Sequence, residues 1–171
     1  MHKFIRFANA LSIFLGWLAR PVLVVLVISM LYEVFVRFFL NAPTKWAFDI
    51  SYMLNGSIFI LGAGYALYNN DHVKIDFLST KIPQKIKCYI DIFLYGFLFS
   101  PVIAGLAWVA IQRAIRALER GEVEAVSPWA PLMWPFYTVI AVGLTIFFIQ
   151  CLAVVAQCYL DINKTKESHL E

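Results

Sequence analysis

Four long stretches with almost no charge constrain this chain more than any other feature. They run from Pro21 to Leu40, Ala47 to Tyr68, Cys88 to Ile111 and Trp134 to Tyr159. A bilayer's hydrocarbon core of roughly 30 Å is crossed by about 20 helical residues at a rise of about 1.5 Å each. Each stretch is that long, and a helix satisfies its own backbone hydrogen bonds where no water is available. Composition agrees: of 171 residues, 61% are hydrophobic and 15% charged, with mean hydropathy +0.74. Soluble domains carry about 25% charged residues. The chain is therefore predicted to be an all-α integral membrane protein, one membrane domain over residues 1–171 with four transmembrane helices.

The residues before the first span read differently. Lys3, Arg6, Asn9 and Ser12 recur at three-residue spacing, while Phe4, Phe7, Leu11, Phe14, Leu15 and Leu18 take the opposite face. That pattern predicts an amphipathic helix over residues 2–18, lying at the membrane surface with its basic side wet. A cleaved signal peptide is the competing reading, but Arg20-Pro21 makes a poor small-residue cleavage site. Pro21 suits the first turn of a separate helix, where its missing N–H costs nothing. Asn41-Ala42-Pro43, Asn69-Asn70-Asp71 and Gly121 are the expected stops, and Pro101 is the expected kink in the third span.

Charge placement sets the expected orientation. Four spans put both termini and the connection from His72 to Lys87 on one side. That side carries Lys3, Arg6, Arg20, Lys74, Lys81, Lys85, Lys87, Lys164 and Lys166; the other carries Arg37, Lys45, Arg113, Arg116 and Arg120. The positive-inside rule then makes both termini cytoplasmic. A net charge of +3, spread along the chain, gives no footprint for nucleic acid. Cys88, Cys151 and Cys158 match no zinc or redox spacing, and His2, His72 and His169 lie outside the spans. No phosphate-binding glycine loop, metal-ligand cluster or intramembrane nucleophile–base pair is present, so the chain does not read as an enzyme.

Three polar groupings remain as candidates. Glu33 and Arg37, four apart near the end of the first span, are either a self-neutralising ion pair or a functional site. Asp49, opening the second span, favours a helix N-terminus and could instead partner Arg37 across the hairpin. Ser51, Asn55, Gly62, Ala66 and Asn69 fall on one face of the second span. Gly62 and Ala66 form a small-xxx-small pair and Asn55 can hydrogen-bond across helices, which reads as close helix packing, with a polar lining for a solute path as the alternative. Arg113, Arg116 and Arg120 could form an anion-binding face, but read better as the solvated side of an extension of the third span, offset by Glu119, Glu122 and Glu124. Secondary transporters usually show inverted repeats with broken helices, which these spans lack. A membrane subunit supporting a larger partner fits better than a complete carrier.

Particular runs resemble a known family. The stretch from Glu33 to Trp46, the run Leu61-Gly62-Ala63-Gly64-Tyr65-Ala66-Leu67 followed by His72-Val73-Lys74-Ile75-Asp76, and Glu124, Ser127, Pro131, Trp134-Pro135, Gly143 and Gln150 are involved. In that order they are similar to the small permease subunits of tripartite ATP-independent periplasmic (TRAP) transporters, over about residues 20 to 158. His72 and Asp76 belong to the most recognisable segment. Asp49 stands where that family commonly has glutamate and Tyr52 where it commonly has arginine. Ala141-Val142-Gly143 replaces a frequent proline-containing run.

The resemblance implies a bacterial inner-membrane system of three parts. A periplasmic binding protein captures an organic acid, and a large membrane subunit moves it inward by an elevator motion. The coupling ion, sodium in preference to a proton, belongs to the large subunit, and the small one carries no cofactor. This chain would brace the large subunit and widen the docking platform. Its expected docking rim comprises Lys45, Trp46, Arg116, Arg120, Glu122 and Glu124. The rival reading is an autonomous small exporter, a homodimer around Glu33. Arg37 one turn away makes proton or cation binding there costly.

Overall fold

The computed structural model describes residues 1–69 and 84–167. Helix α1 spans His2–Phe39, α2 Ala47–Tyr68 and α3 Gln84–Asp91. A π-helical stretch, Ile92–Phe99, continues α3 directly into α4, Ser100–Arg120, and α5 spans Trp134–Glu167. Among the described residues the only β-type pairing is an isolated bridge between Val123 and Leu132. Four helical segments are long and apolar enough to cross a membrane: His2–Phe39, Ala47–Tyr68, Cys88–Arg120 and Trp134–Leu160.

The π-helical stretch has a local cause. Pro101 has no N–H to return to the preceding turn, and its ring crowds that turn. The helix widens there, so that the Ser100 N–H bonds the Tyr95 carbonyl five residues back. The expected kink at Pro101 thus takes the form of a register change. Gly121, in the left-handed region at φ 59°, ends α4, and its N–H bonds the Ala117 carbonyl.

Helix α1 packs along α2 and α4 along α5, while α5 also touches α1, α2, α3 and the π-helical stretch. The last helix is therefore the hub of the bundle. Small residues allow the crossings. A Cβ on Gly143 would come within 2.8 Å of Ile60 Cγ2, and one on Gly16 within 2.5 Å of Tyr65 Cγ. Ile103, Ala107 and Leu144 form the centre of the α4–α5 contact, with Ile60, Phe147 and Phe148 around them.

The division of the N-terminal region into a surface helix and a separate span is corrected. Residues 2–39 form one continuous helix with Pro21 inside it. The first half packs into the bundle through Ile5, Ala8, Ser12, Leu15 and Gly16, and presents Phe4, Phe7, Phe14 and Trp17 outward. Asn9 and Ser12 thus face inward, the reverse of a wet face. The reason is Gln150 on α5: its Oε1 accepts from the Ser12 hydroxyl at 2.9 Å, and its Nε2 donates to Asn9 Oδ1 at 3.1 Å. In an apolar surrounding, short polar side chains find one another across helices.

Candidate functional site

The bundle has one end where the described connections meet, between α1 and α2 and between α4 and α5. It is built from polar side chains that the sequence scatters over a hundred residues. Glu33, near the end of α1, accepts from Arg37 through Nε at 3.0 Å and Nη2 at 2.6 Å. Its second oxygen accepts from the Thr44 backbone N–H at 3.1 Å and from the Thr44 hydroxyl. The Glu33 carboxylate therefore clamps the α1–α2 turn, which reverses through Asn41 at φ 50°. Asparagine is among the few residues that adopt this conformation readily.

Asp49, 3% exposed, accepts from the Ser127 hydroxyl, and Ser127 Oγ in turn accepts from the Trp129 N–H at 3.1 Å. The Tyr52 hydroxyl donates to Glu124 Oε2 at 3.0 Å. Arg113 bridges Glu122 at 3.3 Å and lies over the Tyr137 ring at 5.2 Å. These bonds hold a hairpin-like connection in which the Met133 N–H reaches the Glu122 carbonyl at 2.9 Å and the Glu124 N–H the Pro131 carbonyl at 3.0 Å. The tip is apolar, with Val126 90% exposed and Trp129 also exposed.

Glu33, Arg37 and Asp49 are thus not one cluster. Glu33 and Arg37 pair with each other, and Asp49 belongs to the second clamp because its helix-opening position faces the α4–α5 connection. Tyr52 enters this end as a neutral donor, through its hydroxyl to Glu124. Of the expected rim, Trp46 stacks on Tyr32 with ring centroids 5.8 Å apart, and Glu122 and Glu124 are held within the chain. Lys45, Arg116 and Arg120 are exposed.

Among the described residues the small-residue face of α2 makes no close contact at Gly62 and stays partly open elsewhere. A Cβ on Gly62 would meet nothing within 4 Å. Asn55 and Asn69 are exposed and Ala66 is half-buried. Ser51 donates only to Met30 Sδ, at 3.3 Å. Ser51 and Asn55 line an open groove of about 740 Å³ between α1 and α2, walled by Leu26, Met30, Val34 and Phe48 and capped by Arg37. Asn55 has no hydrogen-bond partner among the described residues. His72 and Asp76 lie outside the described residues. No group of three or more His, Cys, Asp or Glu side chains that could hold a metal occurs among the described residues.

Sequence reasoning missed the Thr44 clamp and the Asn9–Ser12–Gln150 network. Gln150 carried the available signal, since an amide inside an apolar span must find a partner.

A model of the family described as tripartite ATP-independent periplasmic transporters, DctQ component, matches residues 26–160. The chain belongs to this family, whose members are transporter subunits rather than enzymes. It is similar to the sialic acid TRAP transporter small permease protein SiaQ of Vibrio cholerae serotype O1 (strain ATCC 39315 / El Tor Inaba N16961). The two are 27% identical over 67 residues, a stretch covering 39% of each chain. No solved structure matches. The protein is thus a multi-pass membrane protein and a small permease subunit of the TRAP type.

Proposed function

We propose that this chain is the scaffold of an inner-membrane TRAP transporter for an organic acid. It braces the large permease subunit and offers its loop end to a periplasmic binding protein. The coupling ion, sodium in preference to a proton, is handled in the large subunit. Both termini face the cytoplasm, as the distribution of lysine and arginine favours.

The observation that carries this reading is Asn55. It sits well inside a span, exposed in an apolar groove, with no partner among the described residues. An unpaired amide facing lipid costs several kcal/mol by transfer estimates of about 2–7 kcal/mol, so a second polypeptide with a polar group belongs there. The exporter reading is disfavoured by Glu33, whose two oxygens are occupied by Arg37 and Thr44.

Reconstitution tests it. Vesicles holding this chain with the large subunit should take up the organic acid only when the soluble binding protein is supplied. Vesicles holding this chain alone should show no ion-driven flux; flux from them would reject the scaffold reading in favour of the exporter.

Orientation is checked separately. The native Cys88, Cys151 and Cys158 are buried, so an introduced thiol is read against a low background. Lys45→Cys should react with a membrane-impermeant maleimide from the periplasm, and Lys3→Cys only after permeabilisation. The opposite pattern would invert the topology.

A further inference from the structure

The sequence places both signs of charge at the loop end, but the fold does not present both. Glu33 is turned to Arg37 and Thr44, Asp49 to Ser127, Glu124 to Tyr52, and Glu122 to Arg113. Every one of these carboxylates is used within the chain: Glu33 and Glu122 tie a connection to a helix that flanks it, and Asp49 and Glu124 tie the α4–α5 connection to α2. The cations differ. Lys45, Arg116 and Arg120 are exposed and make no ion pair among the described residues. Arg116 uses its Nε only to reach the Gln112 carbonyl on its own helix, at 3.3 Å. Glu119 is the one exposed carboxylate on the same stretch without an ion pair among the described residues.

Length places these groups outside the hydrocarbon. Cys88–Arg120 has 33 residues, roughly 50 Å of helix against a core of roughly 30 Å. The last turns of α4 therefore project beyond the apolar layer, beside the connection tipped by Val126 and Trp129. The presented surface is an apolar knob with a rim that is positive in excess.

We infer that this rim takes an acidic face of the soluble partner, with partner carboxylates opposite Lys45, Arg116 and Arg120. The inference rests on the docking role proposed above and adds the sign of the partner's surface. Rim charges act mainly on the rate of encounter and on its salt dependence, while the desolvated centre of an interface governs release. Arg116 and Arg120 should therefore steer, and the Val126–Trp129 tip should hold.

The test is uptake by the complete complex in vesicles of phosphatidylcholine alone, titrated with the transporter's own binding protein at low and high salt. With the native chain, the concentration giving half-maximal uptake should rise with salt. Reversal of both arginines, Arg116→Glu with Arg120→Glu, should raise it roughly tenfold or more at low salt, within the steering range of about 10–10³. It should also flatten or invert the salt dependence, while the maximal rate is recovered at excess binding protein. Arg116→Lys with Arg120→Lys should restore native behaviour.

A salt-independent titration of the native complex overturns the inference while leaving the docking reading intact. So does a double reversal with an unchanged half-maximal concentration. Salt dependence that arises only when anionic phosphatidylglycerol is added identifies lipid headgroups as the counter-charge and also overturns it. Uptake that needs no binding protein at all removes the docking reading itself.

Discussion

Gly62→Leu is expected to lower recovery of the complex with the large subunit roughly tenfold or more, while this chain's own thermal stability hardly changes. The second half follows from the structure, because a side chain at Gly62 would meet nothing within 4 Å of its Cβ. Substitutions facing open space usually fall within about 0.5 kcal/mol of neutral. The first half follows if α2 receives a neighbouring helix along the Asn55–Gly62 face. Overfilling a close helix contact costs about 1–3 kcal/mol, and each 1.4 kcal/mol is about tenfold in an association constant. Gly62→Ala should give a smaller loss and Asn55→Leu a comparable one, so three variants grade the face. The measurement is the amount of large subunit retained on a tag carried by this chain, at equal expression. Full retention with Gly62→Leu would mean that the face meets lipid and that the partner docks elsewhere.

Gln150→Leu should release the first half of α1. Gln150 is 2% exposed and joins Ser12 and Asn9 across the bundle. Interhelical hydrogen bonds in membranes contribute about 0.6–2 kcal/mol each. Leucine at this position removes two of them and leaves a hydroxyl and an amide without their partner. The combined loss corresponds to a roughly ten- to thousandfold increase in local opening. Amide hydrogen exchange over residues 5–16 should accelerate by that factor, with exchange in α4 unchanged. Replacing Asn9, Ser12 and Gln150 together by apolar residues should recover much of the protection, because nothing polar is then left unsatisfied. Unaltered exchange in Gln150→Leu would show that apolar contacts such as Gly16 on Tyr65 hold the segment by themselves.

These expectations depend on features that were unequally legible in the chain. The spans, their number and their order are set by where uncharged apolar residues run for 20 positions, a property that lipid reads one helix at a time. The stops at Asn41 and Gly121 are equally local, since both depend on which residues adopt a left-handed backbone. Pro101 announced a distortion because a missing N–H acts on its own turn. The ion pair of Glu33 with Arg37 was visible for the same reason, both being on one helix face a turn apart.

What tertiary structure alone decided was the direction in which polar groups point. Asn9 and Ser12 have a spacing that suits a wet surface, yet they face inward because Gln150 lies 138 residues beyond Ser12, on another helix. Pro21 opens no new helix, because contacts on both sides of it keep α1 in the bundle. Asp49 and Glu124 look like members of a charged rim, and each is instead consumed by a hydroxyl distant in sequence, Asp49 by Ser127 of the α4–α5 connection and Glu124 by Tyr52 of α2. Helical periodicity records which residues share a face, but the identity of the neighbour across that face is absent from it. For this protein the sequence by itself determined the membrane class, the spans and the family. Only the packed helices decided which charges remain available to a partner, because pairing between distant side chains depends on distances that local order does not contain.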